Sequence, residues 1–344
     1  MSSETALRSN DEPGDSVSAR AAHMNVEPIA GKTFGAVVTG VSLANLTHEE
    51  WRAIEDAFHE HALLVFPGQF LSADAQVAFA KRLGKLEFEA NPFGNKPGKE
   101  KIFNMHEVED KVVDVDGTAA ERYMKVFLGT NMWHHDSTYM PCSAKAGMLT
   151  ARVVPSSGGG TGFADMRAAY DALDDSMKER VEKLTAYHSN VYSQANDVKD
   201  FPKVQDGPGI YHPFAFLRPL VKVHPVTGRR SLQIGRHAFG VPGMERDASR
   251  QFLADLCAFA CQGPRMYEHN YREGDFVLWD NRCTMHRARP FDYREPRALV
   301  GTRVSGDPVS ESALETPDTG REILTAELCQ LRLSVGLPAQ PSKL

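Results

Sequence analysis

The feature that most limits the possible folds is a series of short β-rich segments after about residue 120, separated by turns and interrupted by helical segments. They amount to seven or eight short strands. A doubly wound sheet would show strands and helices in regular alternation, whereas this pattern is typical of a jelly roll. The sequence therefore predicts a mainly β protein with a jelly-roll core and flanking helices.

Before residue 120 the chain has the pattern strand, helix, strand, helix. The segment "FGAVVTGVSL" (34–43) predicts a strand, and Thr47 with Glu50 forms the capping-box pattern that opens an amphipathic helix. The apolar "LLVFPG" predicts a short buried strand. A second helix is expected to begin after Ser72 and to end at Gly84.

We expect one folded domain over residues 25–307. Residues 1–24 are polar, rich in serine and without periodicity, which predicts a disordered leader. Residues 308–344 form a polar tail with a short helix at "REILTAELCQLRL". The polar stretch 92–122 and the irregular stretch 187–218 are expected to be loops that cover a pocket.

Composition excludes several classes of partner. The 344 residues are 42% hydrophobic and 24% charged, with a net charge of −6, which gives no basic surface for nucleic acid. No apolar run approaches the ~18 residues of a membrane span, and the N-terminus lacks a secretory signal. The five cysteines are scattered and odd in number, as in a reducing compartment. We expect a cytoplasmic homo-oligomer that acts on a small molecule.

Two adjacent histidines followed by an aspartate occur in "NMWHHDSTYM", residues 131–140. The aromatic and β-branched residues, followed by Pro141, predict a strand that ends at a turn. Because side chains two apart on a strand share a face, His134 and Asp136 point one way and His135 the other. His134 and Asp136 are therefore the candidate metal-binding pair, and His135 is a spacer facing away.

Two imidazoles and one carboxylate on one face of an iron leave adjacent positions open for a bidentate cosubstrate and oxygen. A third ligand would come from a downstream histidine, and the candidates are His188, His212, His224, His237, His269 and His286. His286 is the best of them, because it lies in a loop after the buried strand "FVLWD", which can run beside the first strand. The alternative is that His134 only hydrogen-bonds its neighbour.

Arg297 adds a second element to this pattern. It lies eleven residues after His286, within the β-rich segment "RALVGTRV". A dicarboxylate that chelates iron through one end needs a fixed cation at its other end, and a planar guanidinium binds a carboxylate through two hydrogen bonds. An iron triad with this arginine therefore predicts a site for Fe(II), 2-oxoglutarate and O2.

Several motifs, in order along the chain, resemble those of one known family. The segments "WHHDSTYMP", "GGGTGFADMRAAYDAL", "HPVTGRRSLQIGRH" and "WDNRCTMHRARPFDYREPR" are similar to the taurine and phenoxyacetate (TauD/TfdA) dioxygenases, which depend on Fe(II) and 2-oxoglutarate. The closer match is the branch that cleaves (S)-phenoxypropionate herbicides. The resemblance covers roughly residues 25–307.

This resemblance implies a cupin-like double-stranded β-helix core and a specific set of roles. His134, Asp136 and His286 would be the catalytic iron ligands, while Arg297 would bind the distal carboxylate of 2-oxoglutarate with help from Thr161. The alternative for Thr161 is a turn hydroxyl bonded to its own backbone.

One departure from the family pattern concerns the substrate. Much of the family has a second arginine four residues after the first, where this chain has Gly301. Residues that could bind the substrate instead are Arg303, Lys125, Arg218, His188 and Tyr192. Arg303 shares strand parity with Arg297, so it could reach the same face. Each of these basic residues could equally be a solvated surface charge.

The resemblance implies hydroxylation of the carbon next to the carboxylate of an aryloxyalkanoate, a small anionic aromatic ether acid. Ether cleavage would then release a phenol and a keto acid, together with succinate and CO2. A sulfonate, an alkyl sulfate or a biosynthetic carboxylic acid is an alternative substrate within the family. Two alternative functions come from other classes of protein: a non-catalytic jelly-roll binding protein and a zinc hydrolase. A zinc hydrolase would not require Arg297 as a cosubstrate-binding residue.

Overall fold

The computed structural model describes residues 24–87, 103–105, 129–197, 215–292, 294–314 and 328–333. Its strands are β1 (Asn25–Pro28), β2 (Ala36–Thr39), β3 (Leu63–Phe66), β4 (Phe103–Met105), β5 (Ala144–Val153), β6 (Thr161–Asp165), β7 (Thr185–His188), β8 (Phe216–Pro219), β9 (Val221–Val223), β10 (Arg230–Leu232), β11 (Ala238–Gly240), β12 (Met266–His269), β13 (Phe276–Asp280), β14 (Thr284–Ala288) and β15 (Ala298–Ser305). Its α-helices are α1 (His48–His61), α2 (Ala73–Leu83), α3 (Met166–Asp171), α4 (Asp175–Glu182), α5 (Asn190–Asp197), α6 (Arg246–Ala260) and α7 (Pro308–Glu311). None of the helices in this part of the chain has the length and apolarity that a membrane crossing requires.

Two sheets form the centre of the molecule. The larger one has the strand order β1-β2-β3-β13-β5-β15-β4, and the smaller one has the order β12-β6-β14. Strand β13 lies between β3 and β5 and is antiparallel to both, so a strand from late in the chain joins the N-terminal strands to the rest of the sheet. Strand β6 is antiparallel to both of its neighbours.

The central strands β3 and β13 of the large sheet are buried on both faces, which explains why they are almost continuously apolar. On one face Phe66 of β3 and Phe276 of β13 pack with Phe79 of α2 in one cluster. On the other face Val277 packs with Phe163 of β6, which belongs to the small sheet. Burying each such side chain contributes roughly 1.5–3 kcal/mol. One face of the large sheet therefore meets helices and the other meets the small sheet.

A second helical layer covers the outer face of the small sheet. Ala164 of β6 and Met285 of β14 share a buried cluster with Met166 of α3 and Leu253 of α6. The order of layers is thus helix, sheet, sheet, helix. This arrangement agrees with the predicted β core with flanking helices.

The predicted helix starts are confirmed. The Thr47 hydroxyl accepts a hydrogen bond from Glu50 N at 3.1 Å, and the Glu50 carboxylate accepts one from Thr47 N at 2.8 Å. Ser72 likewise accepts from Ala75 N at 3.2 Å, and α2 ends before Gly84. These contacts satisfy N–H groups that a helix cannot bond internally.

The expected number of strands was too low. Eleven strands are described after residue 120, because several have only three or four residues and show no readable alternation. In the stretch 187–218 the described residues include α5 and parts of β7 and β8, and residues 198–214 lie outside the described residues. Most of the other predicted loop, 92–122, lies outside the described residues, apart from β4.

Part of the predicted tail contacts the folded body. Glu311 at the end of α7 forms a buried ion pair of 3.0 Å with Lys222 of β9. Residues 328–333 are helical, and Leu328 packs with Tyr187 and Phe239 in a buried cluster. The helix predicted in this tail is therefore present, and it covers apolar side chains of the body.

The close approach of Gly147 in β5 to Trp279 in β13 yields a stability prediction. A Cβ on Gly147 would lie 2.2 Å from the indole ring, so Gly147→Ala must displace that ring. We expect a loss of about 1–3 kcal/mol in the free energy of unfolding, measured by urea denaturation. Adding Trp279→Phe should recover part of the loss, because the smaller ring vacates the clash. Strictly additive effects in the double variant would contradict this account.

Candidate metal centre and cosubstrate cavity

Two of the predicted ligands are joined by their backbones. His134 N donates to His286 O at 3.0 Å, and His286 N donates to His134 O at 2.9 Å, which forms an isolated antiparallel bridge. Their rings lie 4.3 Å apart between centroids. His286 is in strand β14 and not in a loop as predicted, because it continues the antiparallel pairing with β6.

The segment 131–140 is not the strand that its composition suggested. Only His134 makes a bridge, and the residues after Asp136 form turns. Ser137 has a φ of +59°, and Met140 N donates to Ser137 O at 3.0 Å. The local β propensity is overridden here by long-range contacts, as happens when a segment has no continuous partner strand.

Asn281, which follows β13, takes the place of that partner strand. Asp136 N donates to the Asn281 side-chain oxygen at 2.7 Å, and the Asn281 amide donates to Asp136 O at 2.9 Å and to Ala144 O at 2.9 Å. One amide side chain thus ties the ligand segment to β5. Nothing in the sequence marked Asn281 for this role, because the contact spans 145 residues.

His135 turns away from the ligands, as expected of the spacer. Its Nδ1 donates to Asn281 O at 2.8 Å, and the side chain is buried. Burial lowers the pKa of His135 to about 4, so the ring is neutral at neutral pH. His135 therefore contributes to the contact with Asn281 and not to the ligand set.

The three ligand side chains converge. The ligand atoms of His134, Asp136 and His286 all lie within 4.8 Å of one another, and Asp136 Oδ2 is 3.5 Å from His286 Nε2. The Nδ1 of His134 donates to Met132 O at 2.7 Å, which fixes the tautomer and leaves Nε2 as a lone-pair donor. Two imidazole nitrogens and one carboxylate oxygen are the donor set of a non-haem Fe(II) site.

Protonation states also suit metal binding. Burial, reinforced by the neighbouring His286, lowers the pKa of His134 to about 3, and burial lowers that of His286 to about 4. Both rings are therefore neutral at pH 7. Burial alone would raise the pKa of Asp136, but the Arg303 guanidinium next to it holds that pKa below its usual value. The aspartate is consequently ionised.

A second buried group of metal-ligand residue types, His224, Asp280 and Cys283, has a different character. The Nδ1 of His224 accepts from the backbone N–H groups of residues 226 and 227, so its Nε2 carries the proton and donates to Asp280 at 3.0 Å. Both Asp280 oxygens also accept from Arg282. The acceptor atoms of His224 and Asp280 thus already bind donors within the protein. This group is therefore an internal network of hydrogen bonds and ion pairs.

A cavity adjoins the two histidine ligands. It is lined by Thr130, His134, Leu149, Thr161, Trp279, His286, Ala288, Arg297 and Leu299. Arg297 is buried, and its Nε and Nη2 donate to Gly159 O at 3.0 and 2.8 Å, which orients the guanidinium. Tyr271 donates to the Thr161 hydroxyl at 3.0 Å. The predicted cosubstrate pair Arg297 and Thr161 thus shares one cavity with the candidate ligands His134 and His286.

Arg303 reaches the candidate metal site, as strand parity suggested. Its partner there is Asp136, the candidate carboxylate ligand. Its Nη2 lies 2.7 Å from Asp136 Oδ1, and its Nη1 contacts the Ser137 hydroxyl at 3.1 Å and Glu87 Oε2 at 3.4 Å. This differs from the predicted contact with substrate. Sequence reasoning did not identify Glu87, which lies 216 residues away along the chain.

Arg218 also has a set of partners that differs from the predicted role. Its Nε donates to Thr138 O at 2.7 Å, its Nη1 to Glu311 O at 3.0 Å and its Nη2 to Met140 O at 2.6 Å. Burial lowers the pKa of Arg218 to about 10, and the side chain remains charged at pH 7. Because all three nitrogens already have carbonyl acceptors, Arg218 holds the turn after the metal ligands in place.

The other predicted substrate residues fall into two groups. His188 and Tyr192 are both buried, and Tyr192 stacks on Phe239 with the ring centroids 4.2 Å apart. Within the described residues, neither ring nitrogen of His188 has a hydrogen-bond partner. Lys125 lies outside the described residues.

Comparisons with known proteins agree with this geometry. A sequence profile of the family described as "Taurine catabolism dioxygenase TauD, TfdA family" matches residues 25–303. The chain is 49% identical over 285 residues to an "(S)-phenoxypropionate/alpha-ketoglutarate-dioxygenase" of Sphingobium herbicidovorans, with 82% of this chain and 95% of the relative covered. It is 45% identical to a protein of the same name from Delftia acidovorans, with 82% and 96% covered.

A solved structure gives the same result for the fold. The chain superposes on AAD-2, described as a complex "with Mn(II) and N-oxalylglycine", with a TM-score of 0.68 at 33% identity, covering 85% of this chain and 99% of that one. Fold and site together define a 2-oxoglutarate-dependent dioxygenase that uses Fe(II) and O2. Within that class, the chain belongs to the TauD/TfdA family. The predicted family, fold class, enzyme class and cofactors are therefore confirmed.

The contrast between the two adjacent histidines is directly testable. His134→Ala removes a ligand and should abolish high-affinity Co(II) binding, measured by isothermal titration calorimetry under anaerobic conditions. His135→Ala removes only the contact with Asn281 O and should keep most of that affinity while lowering the melting temperature. Equal loss of Co(II) binding in both variants would show that the ligand assignment is wrong.

Proposed function

We propose that the chain hydroxylates an aryloxyalkanoate at the carbon next to its carboxylate, with ether cleavage to a phenol and a keto acid. The observation that carries the proposal is the single cavity in which His134 and His286 lie together with Arg297 and Thr161. The two relatives with 49% and 45% identity, both named for (S)-phenoxypropionate, support the choice of substrate class.

The cavity has a group of side chains for each end of a dicarboxylate. Arg297 presents a buried cation, and Thr161 presents a hydroxyl whose orientation is set by Tyr271. These groups would bind the distal carboxylate of 2-oxoglutarate, so that its other end reaches the metal ligands. Bound Fe(II) supplies the oxidative decarboxylation that couples O2 to hydroxylation, yielding succinate and CO2.

Apolar side chains form the remaining walls of the cavity. Leu149, Leu299 and Ala288 line it, and the Trp279 ring lies 4.8 Å from that of His286. Such walls exclude water and thereby strengthen the pairing between Arg297 and a carboxylate. They also protect a reactive site from competing solvent.

Hydroxylation next to an ether oxygen explains the proposed bond cleavage. The new hydroxyl and the aryl ether oxygen are then on one carbon, which is a hemiketal or hemiacetal. This group collapses by losing the phenol, and the carbon becomes the carbonyl of the keto acid. The enzyme therefore needs to place one C–H bond of the substrate and requires no residue that attacks the ether.

Three of the predicted substrate residues remain part of the proposal. We infer that Lys125 pairs with the substrate carboxylate, because Arg218 and Arg303 already have partners within the protein. His188 and Tyr192 are inferred to contact the aromatic part. Burial lowers the pKa of His188 well below its usual value, so that it would offer a neutral imidazole.

Turnover with a set of substrates tests the proposed function. Protein loaded with Fe(II) and 2-oxoglutarate without oxygen, then exposed to O2 and phenoxyalkanoates, should release succinate and a phenol in equal amounts. His134→Ala provides the control without metal. Succinate without phenol would keep the enzyme class and exclude this substrate. Succinate stimulated only by a sulfonate or an alkyl sulfate would select the alternative substrates.

Removing the cosubstrate arginine gives a second prediction. Arg297→Ala leaves the distal carboxylate of 2-oxoglutarate buried without a cation, which costs about 3–5 kcal/mol and weakens 2-oxoglutarate binding by roughly a hundredfold or more. The measurement is the KM for 2-oxoglutarate. The exposed Arg294, which pairs with Asp292, serves as the control through Arg294→Ala. A normal KM in Arg297→Ala would refute the cosubstrate role.

A further inference from the structure

The carboxylate of Asp136 is held differently at its two oxygens. Oδ1 lies 2.7 Å from Arg303 Nη2, whereas Oδ2 faces His286 Nε2 at 3.5 Å. Both the aspartate and the arginine are buried, with side-chain exposures of 8% and 7%. A carboxylate whose two oxygens are both accessible can chelate a metal. Here one oxygen is engaged by a guanidinium, and the other points to the ligand group.

The guanidinium is also held through its other terminal nitrogen. Its Nη1 lies 3.4 Å from Glu87 Oε2 and donates to the Ser137 hydroxyl at 3.1 Å. The backbones of Glu87 and Arg303 are also joined, because Glu87 N donates to Arg303 O at 3.0 Å. The guanidinium is consequently anchored independently of any bound molecule.

We propose that Arg303 is a positioning residue that restricts Asp136 to metal ligation through one oxygen, with Glu87 fixing the guanidinium. A single-oxygen ligand occupies one coordination position, whereas a chelating carboxylate would occupy two. Three protein ligands then leave room for a bidentate cosubstrate and for oxygen. Partners of ligating groups orient those groups, and their loss typically weakens metal binding about 10- to 100-fold.

This role makes a different prediction from an anchor for the substrate anion. An anchor would change the KM for the substrate and leave the affinity for the metal unchanged. A residue that holds Asp136 must change the affinity for the metal even without substrate. A merely structural arginine would lower the stability of the protein and leave metal affinity unchanged in the folded fraction.

Three variants test the proposal through Co(II) affinity, measured by calorimetry below the melting temperature of each protein. Arg303→Lys keeps the charge but removes the planar fork in which Nη2 contacts Asp136 and Nη1 contacts Glu87 and Ser137. Glu87→Gln weakens the contact at Nη1 and leaves the three candidate ligands unchanged. The matched control is Arg167→Lys, because Arg167 is equally buried and its Nε lies 3.0 Å from Asp165 Oδ1, a carboxylate outside the ligand set.

We expect Co(II) affinity to fall about 10- to 100-fold in Arg303→Lys, to fall less in Glu87→Gln and to stay unchanged in Arg167→Lys. Unchanged affinity in Arg303→Lys would overturn the proposal, and so would an equal loss in the control. If Arg303→Lys does not fold, Glu87→Gln decides alone, and wild-type affinity there would overturn it.

The role of Arg303 rests on the metal site of the proposed function, but not on the identity of the substrate. Two results separate the two proposals. If the wild-type protein binds no Co(II), the metal site and the proposed function both fail. If the wild-type protein binds Co(II) and both variants match it, only the role of Arg303 fails.

Discussion

The pair of backbone hydrogen bonds between His134 and His286 is the constraint on which the site depends. It is a bridge of one residue pair between an irregular segment and a regular strand, and it places two imidazoles side by side. The third ligand follows two residues later and is held by Asn281. The two histidines are therefore placed by main-chain contacts, whereas Asp136 is held through the side chains of Asn281 and Arg303.

Burial of charge is the second constraint. The side chains of Asp136, Arg303 and Glu87 are only 7–8% exposed, and burying any one of these charges without a partner would be costly. Burial raises the pKa of Glu87 despite the nearby Arg303, whereas Asp136 is kept ionised. The Arg303 guanidinium balances the negative charge of Asp136 when no metal is bound. The arrangement of the site is therefore stable before metal binding.

The two sheets contribute different kinds of side chain to the cavity. The large sheet contributes Leu149, Trp279 and Leu299, which are apolar, and the small sheet contributes Thr161 and His286. Arg297 lies immediately before β15 and is oriented by the turn carbonyl of Gly159. The cavity thus combines apolar walls with a few polar groups, of which Arg297 and Thr161 are oriented by hydrogen bonds within the protein.

Local sequence patterns determined much of this protein. Helix caps such as Thr47 and Ser72 act within a few residues, so their effect is readable from the chain. The candidate site residues were also readable from the chain, because His134 and Asp136 share strand parity, and His286 and Arg297 belong to the motifs that resemble the family.

Only the tertiary structure decided what surrounds those ligands. It showed that 131–140 is irregular, that Asn281 holds Asp136, that Arg303 pairs with a ligand and that Arg218 binds carbonyl oxygens. These contacts are between residues far apart in the chain: Asn281 is 145 positions from Asp136, and Arg218 is 80 positions from Thr138. A lone basic residue looks the same in sequence whether it meets a substrate, a carbonyl or a buried carboxylate, and the partner is fixed only when the chain folds.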